Sequence, residues 1–273
     1  MTYPGSTMKT GILLAAFGTA SPQGEAALRL FTLRIRNRFP DIPVRWAFTS
    51  SAMRERLAGG ARRKSDSVDK ALRKMAFERF RRVAVQPLHV VPGFEYEEVL
   101  DTCAQARELF EDVQVGLPLL VPKMDPAPLA ATLLAELPAE RKSTEAVLFV
   151  GHGSRHDASH LIGRLGEAVR ARDPLAFTAT MKGDVTLETI LPFITASKAS
   201  QIWMLPLLAV VGRHMLEDLA GNHSGSWKTR LEAAGLSCVP VLRGMVEYPL
   251  FSRIWADNLA QAIAALSISD NRQ

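Results

Sequence analysis

Short apolar segments separated by stretches of helical periodicity are the feature that most constrains the fold of this 273-residue chain. In chain order the segments are GILLAAF, VRWAFTS, VAVQPLHVV, VQVGLPLL, AVLFVGH, FTATMKG, IWMLPLLAV and LSCVPVLRG. Continuous apolar strands that alternate with helices are typical of a parallel sheet covered by helices on both faces. The sequence therefore predicts an α/β fold.

The order of the segments repeats in the second half of the chain, and local details repeat with it. LLAAFGTAS at 13–21 aligns with LFVGHGSRH at 148–156, so Phe17 stands opposite His152. The glycine turn is common to both copies, whereas the imidazole belongs to one copy only. The histidine is therefore an addition to the scaffold.

A second aligned pair of segments carries two further candidate residues. QPLHVVPGFEYEEVLD at 86–101 aligns with LPLLAVVGRHMLEDLA at 205–220, which puts Glu95 opposite His214. Ligands of doubly wound sheets bind at the carboxyl ends of strands, and all four aligned residues follow predicted strands. We expect them to face one cleft.

The repeat also predicts the organisation of the chain. It indicates two similar lobes, each a parallel sheet flanked by helices, with a cleft between them. The first lobe is expected at residues 8–125 and the second at 143–273, with a linker at about 126–142.

Composition and charge exclude several classes of protein. The chain is 47% hydrophobic and 22% charged, with a net charge of +5, which is ordinary for a globular protein. Its basic clusters at 54–66 and 79–82 come without a nucleic-acid-binding signature and are interpreted as solvated helix faces. No segment approaches the roughly 20 apolar residues of a membrane span, and the run at 8–22 is interpreted as the first strand rather than a signal peptide. Two isolated cysteines fit a cytoplasmic protein.

The segment VGHGSRH, which contains His152, allows several interpretations. A serine hydrolase would use Ser154, but the nucleophile elbow G-x-S-x-G has serine, not histidine, between the glycines. No phosphate-binding glycine pattern is present. His156 and His160 are spaced for one helix face and are a weaker metal-binding hypothesis, because no third ligand is nearby. Two imidazoles and a carboxylate, from His152, His214 and Glu95, fit a divalent first-row metal better.

At these residues the sequence resembles the anaerobic sirohydrochlorin cobaltochelatases, class II chelatases of cobalamin biosynthesis with a ferrochelatase-like fold. The segments that carry the resemblance are LLAAFGTA, WAFTSSAMRERL, QPLHVVPGFEYEEV, VGHGSRH, LPLLAVVGRHMLEDLAG, SWKTRLEAAG and LRGMVEYP. They cover essentially the whole chain in the family's order.

The resemblance implies an activity and residues that carry it. The activity is ATP-independent insertion of Co²⁺, with Fe²⁺ or Ni²⁺ as alternative substrate metals, into the tetrapyrrole sirohydrochlorin. His152 and His214 match the two histidines that bind the metal and help to remove pyrrole protons, and Glu95 matches an active-site glutamate. The resemblance is also compatible with a homo-oligomer.

Lys182 departs from the family pattern. Many members have a motif like V-E-G-Y-P after this strand, whereas this chain has TMKGDV at 180–185, with Lys182 in place of the glutamate. A protonated amine does not ligate a metal, so Asp184 and Glu188 become alternative carboxylates. Lys182 is also a candidate partner for a substrate carboxylate.

Other residues are candidates for contact with the tetrapyrrole. Cationic candidates are Lys182, Arg213 and Arg54, and apolar candidates are Phe17, Leu88 and Met215; His89 is a candidate for the cleft wall or the core. Each apolar candidate has an equally good interpretation as a core residue. Two alternative functions stay open: a ferrochelatase that makes sirohaem, and a non-catalytic carrier of tetrapyrrole or metal on the same scaffold.

Overall fold

The computed structural model describes residues 9–59 and 65–268, and the strands appear where the apolar segments predict them. The strands are Thr10–Ala16 (β1), Val44–Phe48 (β2), Arg82–Pro87 (β3), Asp112–Val115 (β4), Ala146–Gly151 (β5), Ala176–Thr180 (β6), Gln201–Pro206 (β7) and Ser237–Pro240 (β8). Each strand ends before the last residues of its apolar segment, because those residues begin the turn to the next helix.

Helices follow the strands in both halves. The α-helices are Pro22–Arg38 (α1), Ser51–Gly59 (α2), Val68–Phe77 (α3), Phe94–Gln105 (α4), Ala127–Ala135 (α5), His160–Arg170 (α6), Leu187–Ala196 (α7), Arg213–Ala220 (α8), Trp227–Ala233 (α9) and Pro249–Ile268 (α10). Within the described ranges, no helix combines the length and the apolar character needed to cross a membrane.

The strands form two parallel sheets with the same internal order. The first sheet runs β2-β1-β3-β4 and the second β6-β5-β7-β8, and every neighbouring pair is parallel. The interior strands β1 and β5 therefore occupy equivalent places. This topology confirms the predicted α/β fold of two similar lobes.

The central strands are buried on both faces, and the two lobes share one inner core. Leu14 of β1 and Phe149 of β5 point into this inner core, where helices α1, α5, α6 and α10 fill the space between the sheets. Leu13 points the opposite way, into an outer core with α3 and α4, and Leu148 points into a second outer core with α7, α8 and α9. Burial on both faces explains why these segments are continuously apolar rather than alternating.

Two helices show how the chain joins the lobes. Helix α5 lies inside the segment expected as a linker, and its apolar side chains pack against α6. Helix α10 packs on β3 and β4 of the first sheet, where the amide of Asn258 donates to the carbonyl oxygens of Leu117 (2.9 Å) and Pro118 (3.2 Å). The last helix of the chain thus covers the sheet formed by its first half.

Candidate functional site

Phe17 and His152 occupy equivalent positions at the carboxyl ends of the two sheets. Phe17 directly follows β1, and His152 directly follows β5. Both side chains are exposed, Phe17 to 47%, although the residues of β1 and β5 that directly precede them are buried. An exposed side chain at the carboxyl end of an interior parallel strand is placed where ligands of such sheets bind.

Glu95 and His214 also occupy equivalent positions, at the start of the helices that follow β3 and β7. Glu95 is the second residue of α4 and His214 the second residue of α8, and each helix begins after an extended glycine N-cap, Gly93 or Gly212. The Glu95 carboxylate turns back over the helix start, since a Cβ built on Gly93 would lie 4.0 Å from Oε2. A carboxylate is favourable there because a helix N-terminus carries partial positive charge.

The imidazole of His152 has one nitrogen available for chemistry. Its Nδ1 lies 3.0 Å from the carbonyl oxygen of Gly153. A carbonyl oxygen only accepts hydrogen bonds, so Nδ1 carries the ring proton and Nε2 keeps its lone pair. A metal-binding histidine commonly donates its other N–H to a backbone carbonyl in this way. The arrangement leaves Nε2 able to bind a metal or accept a proton.

The turn after β6 packs directly against the loop that carries His152. The backbone N–H of Met181 donates to the carbonyl of Gly151 (3.0 Å), and that of Lys182 donates to the carbonyl of His152 (3.1 Å). Gly153 has φ +74°, and a Cβ built on it would lie 1.8 Å from the carbonyl oxygen of Lys182. Only glycine fits this position, because the backbones approach too closely for a side chain.

Lys182 is therefore a neighbour of His152 through the backbone. Its side chain is exposed, and the described part of the chain provides no hydrogen bond or ion pair to its amine. Of the two alternative carboxylates, Asp184 is exposed, whereas Glu188 forms an ion pair with Arg230 (2.8 Å). Hydrogen bonding from Thr186 and from Arg230 lowers the pKa of Glu188. Glu188 is thus engaged in an interaction with helix α9.

Leu88 is buried, which contradicts its prediction as a residue that contacts the tetrapyrrole. Its side chain is 2% exposed and belongs to the inner core. A side chain with almost no accessible surface does not contact a tetrapyrrole, so the core interpretation of Leu88 is the right one. Met215 is also buried, 7% exposed, in the outer core of the second lobe.

His89 lies in the wall of the first lobe with both ring nitrogens buried. Neither nitrogen has a hydrogen-bond partner in the described part of the chain, and the ring stands edge-on to Tyr96 at a centroid distance of 6.4 Å. Burial lowers the pKa of His89 to about 4, against the opposing effect of the nearby Glu95 carboxylate. Buried ring nitrogens favour the core or cleft-wall interpretation of His89 over a polar contact with the substrate.

One nitrogen of Arg54 is engaged by the backbone. Its Nη1 donates to the carbonyl oxygens of Phe48 (2.6 Å) and Thr49 (2.8 Å). The guanidinium thereby holds the turn that follows β2. The same nitrogen is not free to bind a substrate carboxylate.

The side chains of Arg213 and His214 lie outside what the structure describes, although the backbone places both residues at the start of α8. Among the side chains that are described, no group of three histidine, cysteine, aspartate or glutamate residues is close enough to hold a metal ion. That set does not include the His214 imidazole. The ligand set of His152, His214 and Glu95 remains a prediction.

His156 makes a contact across the lobes that the sequence did not predict. Instead of sharing a helix face with His160, His156 precedes a short 3₁₀ turn, and α6 begins only at His160. The His156 Nε2 lies 3.0 Å from Oε1 of Glu97 on helix α4 of the other lobe, and the ring stands edge-on to Phe94 at 4.7 Å. The sequence signal for this contact is the spacing of Phe94 and Glu97, because residues three apart on a helix lie on the same face.

A cavity of about 540 Å³ lies beside the edge strand β2, between α1 and α2. Its lining includes Trp46, Phe48 and Arg36. None of the candidate residues whose side chains are described lines this cavity. The candidate residues at the strand ends therefore lie apart from this cavity.

Solved structures define the class of this fold. The structure of SirB from Bacillus subtilis with Fe³⁺ matches 97% of this chain and 98% of that chain, with a TM-score of 0.63 and 12% identity. At this identity the likeness is one of fold. The chain has the two-lobed fold of a chelatase, with candidate metal-binding residues at the ends of its strands.

Sequence comparison identifies the family. A family model described as cobalt chelatase (CbiK) matches residues 10–264, so the chain belongs to the CbiK cobalt chelatase family. Sirohydrochlorin cobaltochelatase CbiKC of Nitratidesulfovibrio vulgaris is 54% identical over 260 residues, 94% of this chain and 92% of that protein. A sirohydrochlorin cobaltochelatase of Salmonella typhimurium is 29% identical over 262 residues, 94% of this chain and 97% of that protein. The resemblance found in the sequence is confirmed.

Proposed function

We propose that this protein inserts Co²⁺ into sirohydrochlorin without using a nucleotide. The observation that carries the proposal is the 54% identity, over 94% of the chain, to a sirohydrochlorin cobaltochelatase. The exposed His152, at the carboxyl end of an interior strand, supplies a chemical group suited to this reaction.

The reaction requires two protons to leave the pyrrole nitrogens while a partly dehydrated metal ion arrives. A neutral imidazole serves both needs, because it binds borderline metals and accepts protons near neutral pH. With Nδ1–H held by the Gly153 carbonyl, Nε2 of His152 is the atom that performs either task. His152 is therefore the proposed principal base and metal ligand.

His214 and Glu95 complete the proposed site. Their support is positional, since each is the second residue of a helix that follows an equivalent strand in its own lobe. In the proposal His214 binds the metal and acts as a second base, and Glu95 accepts a proton or binds the metal. Two histidines and a carboxylate leave coordination positions open for the tetrapyrrole nitrogens.

The proposed tetrapyrrole-binding residues surround this centre. Lys182 has an exposed amine beside the His152 loop, and a carboxylate on the tetrapyrrole is its natural partner. Arg213 precedes His214 and is proposed for the same task on the facing lobe. Phe17, 47% exposed in the place equivalent to His152, offers an apolar surface to the ring.

The test of the function is metal insertion by the purified protein, followed by absorbance. We expect Co²⁺ insertion into sirohydrochlorin well above the spontaneous rate, measured in the same buffer without protein. Parallel reactions with Fe²⁺ and Ni²⁺ decide the substrate metal. A faster rate with Fe²⁺ at equal free metal would favour the ferrochelatase that makes sirohaem.

A non-catalytic carrier is the remaining alternative, and it is motivated by Lys182. Binding of sirohydrochlorin without any rate above the spontaneous one would identify such a carrier. The proposed partners are only the tetrapyrrole and the divalent metal, with neither nucleic acid nor membrane. The two free cysteines agree with the proposed cytoplasmic location, and a homo-oligomer is compatible with the family.

A further inference from the structure

A pair of side chains, His156 and Glu97, joins the two lobes at the candidate site. His156 lies in the loop after β5 of the second lobe, and Glu97 lies in the first turn of α4 in the first lobe. The Nε2 of His156 is 3.0 Å from Oε1 of Glu97, and the aromatic ring of Phe94 packs at right angles to the imidazole. We refer to His156 and Glu97 as the cross-lobe pair.

The orientation of His156 is fixed at both ring nitrogens. Its Nδ1 accepts a hydrogen bond from the backbone N–H of Ala158 (3.0 Å), so Nδ1 carries a lone pair. The ring proton is then on Nε2, which donates to the Glu97 carboxylate. His156 therefore both caps the 3₁₀ turn of its own lobe and binds the opposite lobe.

The cross-lobe pair connects the two segments that carry the proposed chemistry. His156 is four residues after His152 in one loop, and Glu97 is two residues after Glu95 in one helical turn. The loop is already held on its other side by the turn at Lys182, whose N–H donates to the carbonyl of His152. The cross-lobe pair connects the same loop, on its opposite side, to the helical turn that carries Glu95.

The internal repeat supports a specific role for this connection. In the alignment of the two halves, Ser21 stands opposite His156. Ser21 is also an N-cap, of helix α1, and its hydroxyl donates across the lobes to the carbonyl of Val211 (3.3 Å) just before α8. The scaffold thus crosses between the lobes at both equivalent places, and in the second lobe the longer imidazole reaches a side chain on the helix of Glu95.

We propose that His156 and Glu97 are positioning residues for metal insertion, which hold the loop of His152 at a fixed distance from Glu95. This inference rests on the proposed function. Neither residue needs to touch the metal or the tetrapyrrole. Displacement of a reacting group by about 1 Å lowers enzymatic rates by as much as about 10²-fold, so loss of the pair lowers turnover rather than binding.

Four single variants test the pair. His156→Asn keeps an N-cap for the 3₁₀ turn but is too short to reach Glu97. Glu97→Ala removes the acceptor, whereas Glu97→Gln keeps an oxygen that accepts the same hydrogen bond. Glu98→Ala is the matched control, because Glu98 is an exposed neighbour on the same helix.

We expect His156→Asn and Glu97→Ala each to lower kcat for Co²⁺ insertion about tenfold. The KM and the binding stoichiometry for sirohydrochlorin should stay within about twofold, and Glu97→Gln and Glu98→Ala should keep near-normal kcat. The double variant His156→Asn/Glu97→Ala should lose no more than either single variant, because both remove one interaction.

Several outcomes would overturn the proposal. The first is a loss of kcat in the double variant equal to the product of the two single losses. The second is a loss of kcat in Glu97→Gln as large as that in Glu97→Ala, and the third is normal kcat in all variants. The fourth is a fall in binding stoichiometry that parallels the fall in kcat. The last result would indicate a purely structural role.

Amide hydrogen exchange separates this inference from the proposed function. Loss of the pair should accelerate exchange in residues 152–158 without changing exchange in the central strands. A wild-type protein that inserts no metal would refute the proposed function, and unchanged exchange in the variants would refute the pair as a connection.

Discussion

The backbone N–H of Lys182 donates a hydrogen bond to the carbonyl oxygen of His152 over 3.1 Å. This contact makes a cationic residue the immediate neighbour of the proposed catalytic base. Cation and base have compatible roles if the amine binds a substrate carboxylate while the imidazole acts on the metal and the pyrrole protons.

Replacement of His152 should abolish most of the activity. We expect His152→Ala to lower kcat for Co²⁺ insertion by at least about 10²-fold, because it removes the base and metal ligand at Nε2. His160→Ala is the matched control, since His160 is an exposed histidine at the start of α6, and it should retain near-normal kcat. Retention of activity in His152→Ala would contradict the assignment.

Replacement of Lys182 should weaken substrate binding. We expect Lys182→Ala to raise the KM for sirohydrochlorin up to about fivefold, because an exposed ion pair contributes roughly 0.2–1 kcal/mol. The effect should shrink as salt is added, since exposed charges are screened. Lys70→Ala, on the outer helix α3, is the control for loss of one positive charge. A fall in kcat with unchanged KM would instead indicate an action on the metal.

Gly153 should tolerate no side chain. We expect Gly153→Ala to lower the free energy of unfolding by roughly 2 kcal/mol or more, because φ is +74° and the new Cβ would collide with the Lys182 carbonyl. Metal insertion should fall with it, since relief of the collision displaces His152. Urea denaturation measures the first effect and the insertion assay the second.

At Gly163, in the same lobe, a substitution by alanine should stabilise the protein rather than destabilise it. Gly163 lies inside helix α6, and a Cβ built on it meets no atom within 4 Å. Gly163→Ala should therefore raise the free energy of unfolding by about 0.5–1 kcal/mol. If Gly153→Ala and Gly163→Ala changed the free energy of unfolding by similar amounts, the close approach at Gly153 would not be the cause of the destabilisation.

His89 should make stability depend on pH below neutrality. Its folded pKa, lowered by burial to about 4, lies under the unfolded value of 6.5, so only the unfolded chain binds the proton between these limits. The stability due to neutral His89 is present above pH 6.5 and is lost as pH falls towards 4, by on the order of 3 kcal/mol in total.

The variant His89→Leu tests this assignment, because Leu208 occupies the equivalent position of the second lobe. Urea denaturation between pH 4 and pH 7 should show a weaker pH dependence in His89→Leu than in the wild-type protein. Identical pH profiles would show that His89 is not buried in its neutral form.

The sequence by itself determined the architecture and the positions of the candidate residues. The strands and the two-lobe repeat follow from continuous apolar segments, because burial of both faces of a parallel sheet imposes that pattern residue by residue. The places of Phe17 and His152 after equivalent strands follow from the aligned glycine turns. These features are local, so a linear pattern is sufficient to predict them.

The tertiary structure alone decided which side chains have partners. Leu88 and His89 continue an apolar segment towards the predicted cleft, yet packing from other helices buries Leu88 and both nitrogens of His89. Arg54 has the charge of a carboxylate-binding residue, but two local carbonyl oxygens engage its Nη1. Charge and hydropathy do not reveal what a neighbouring element covers or engages.

The contact between His156 and Glu97 shows the same limit across the lobes. These residues are separated by more than fifty positions, and their contact depends on how the shared inner core sets one sheet against the other. Helix α10 likewise returns from the end of the chain to cover the first sheet. Periodicity and turn residues act over a few residues, whereas such contacts arise only when distant apolar surfaces are buried together.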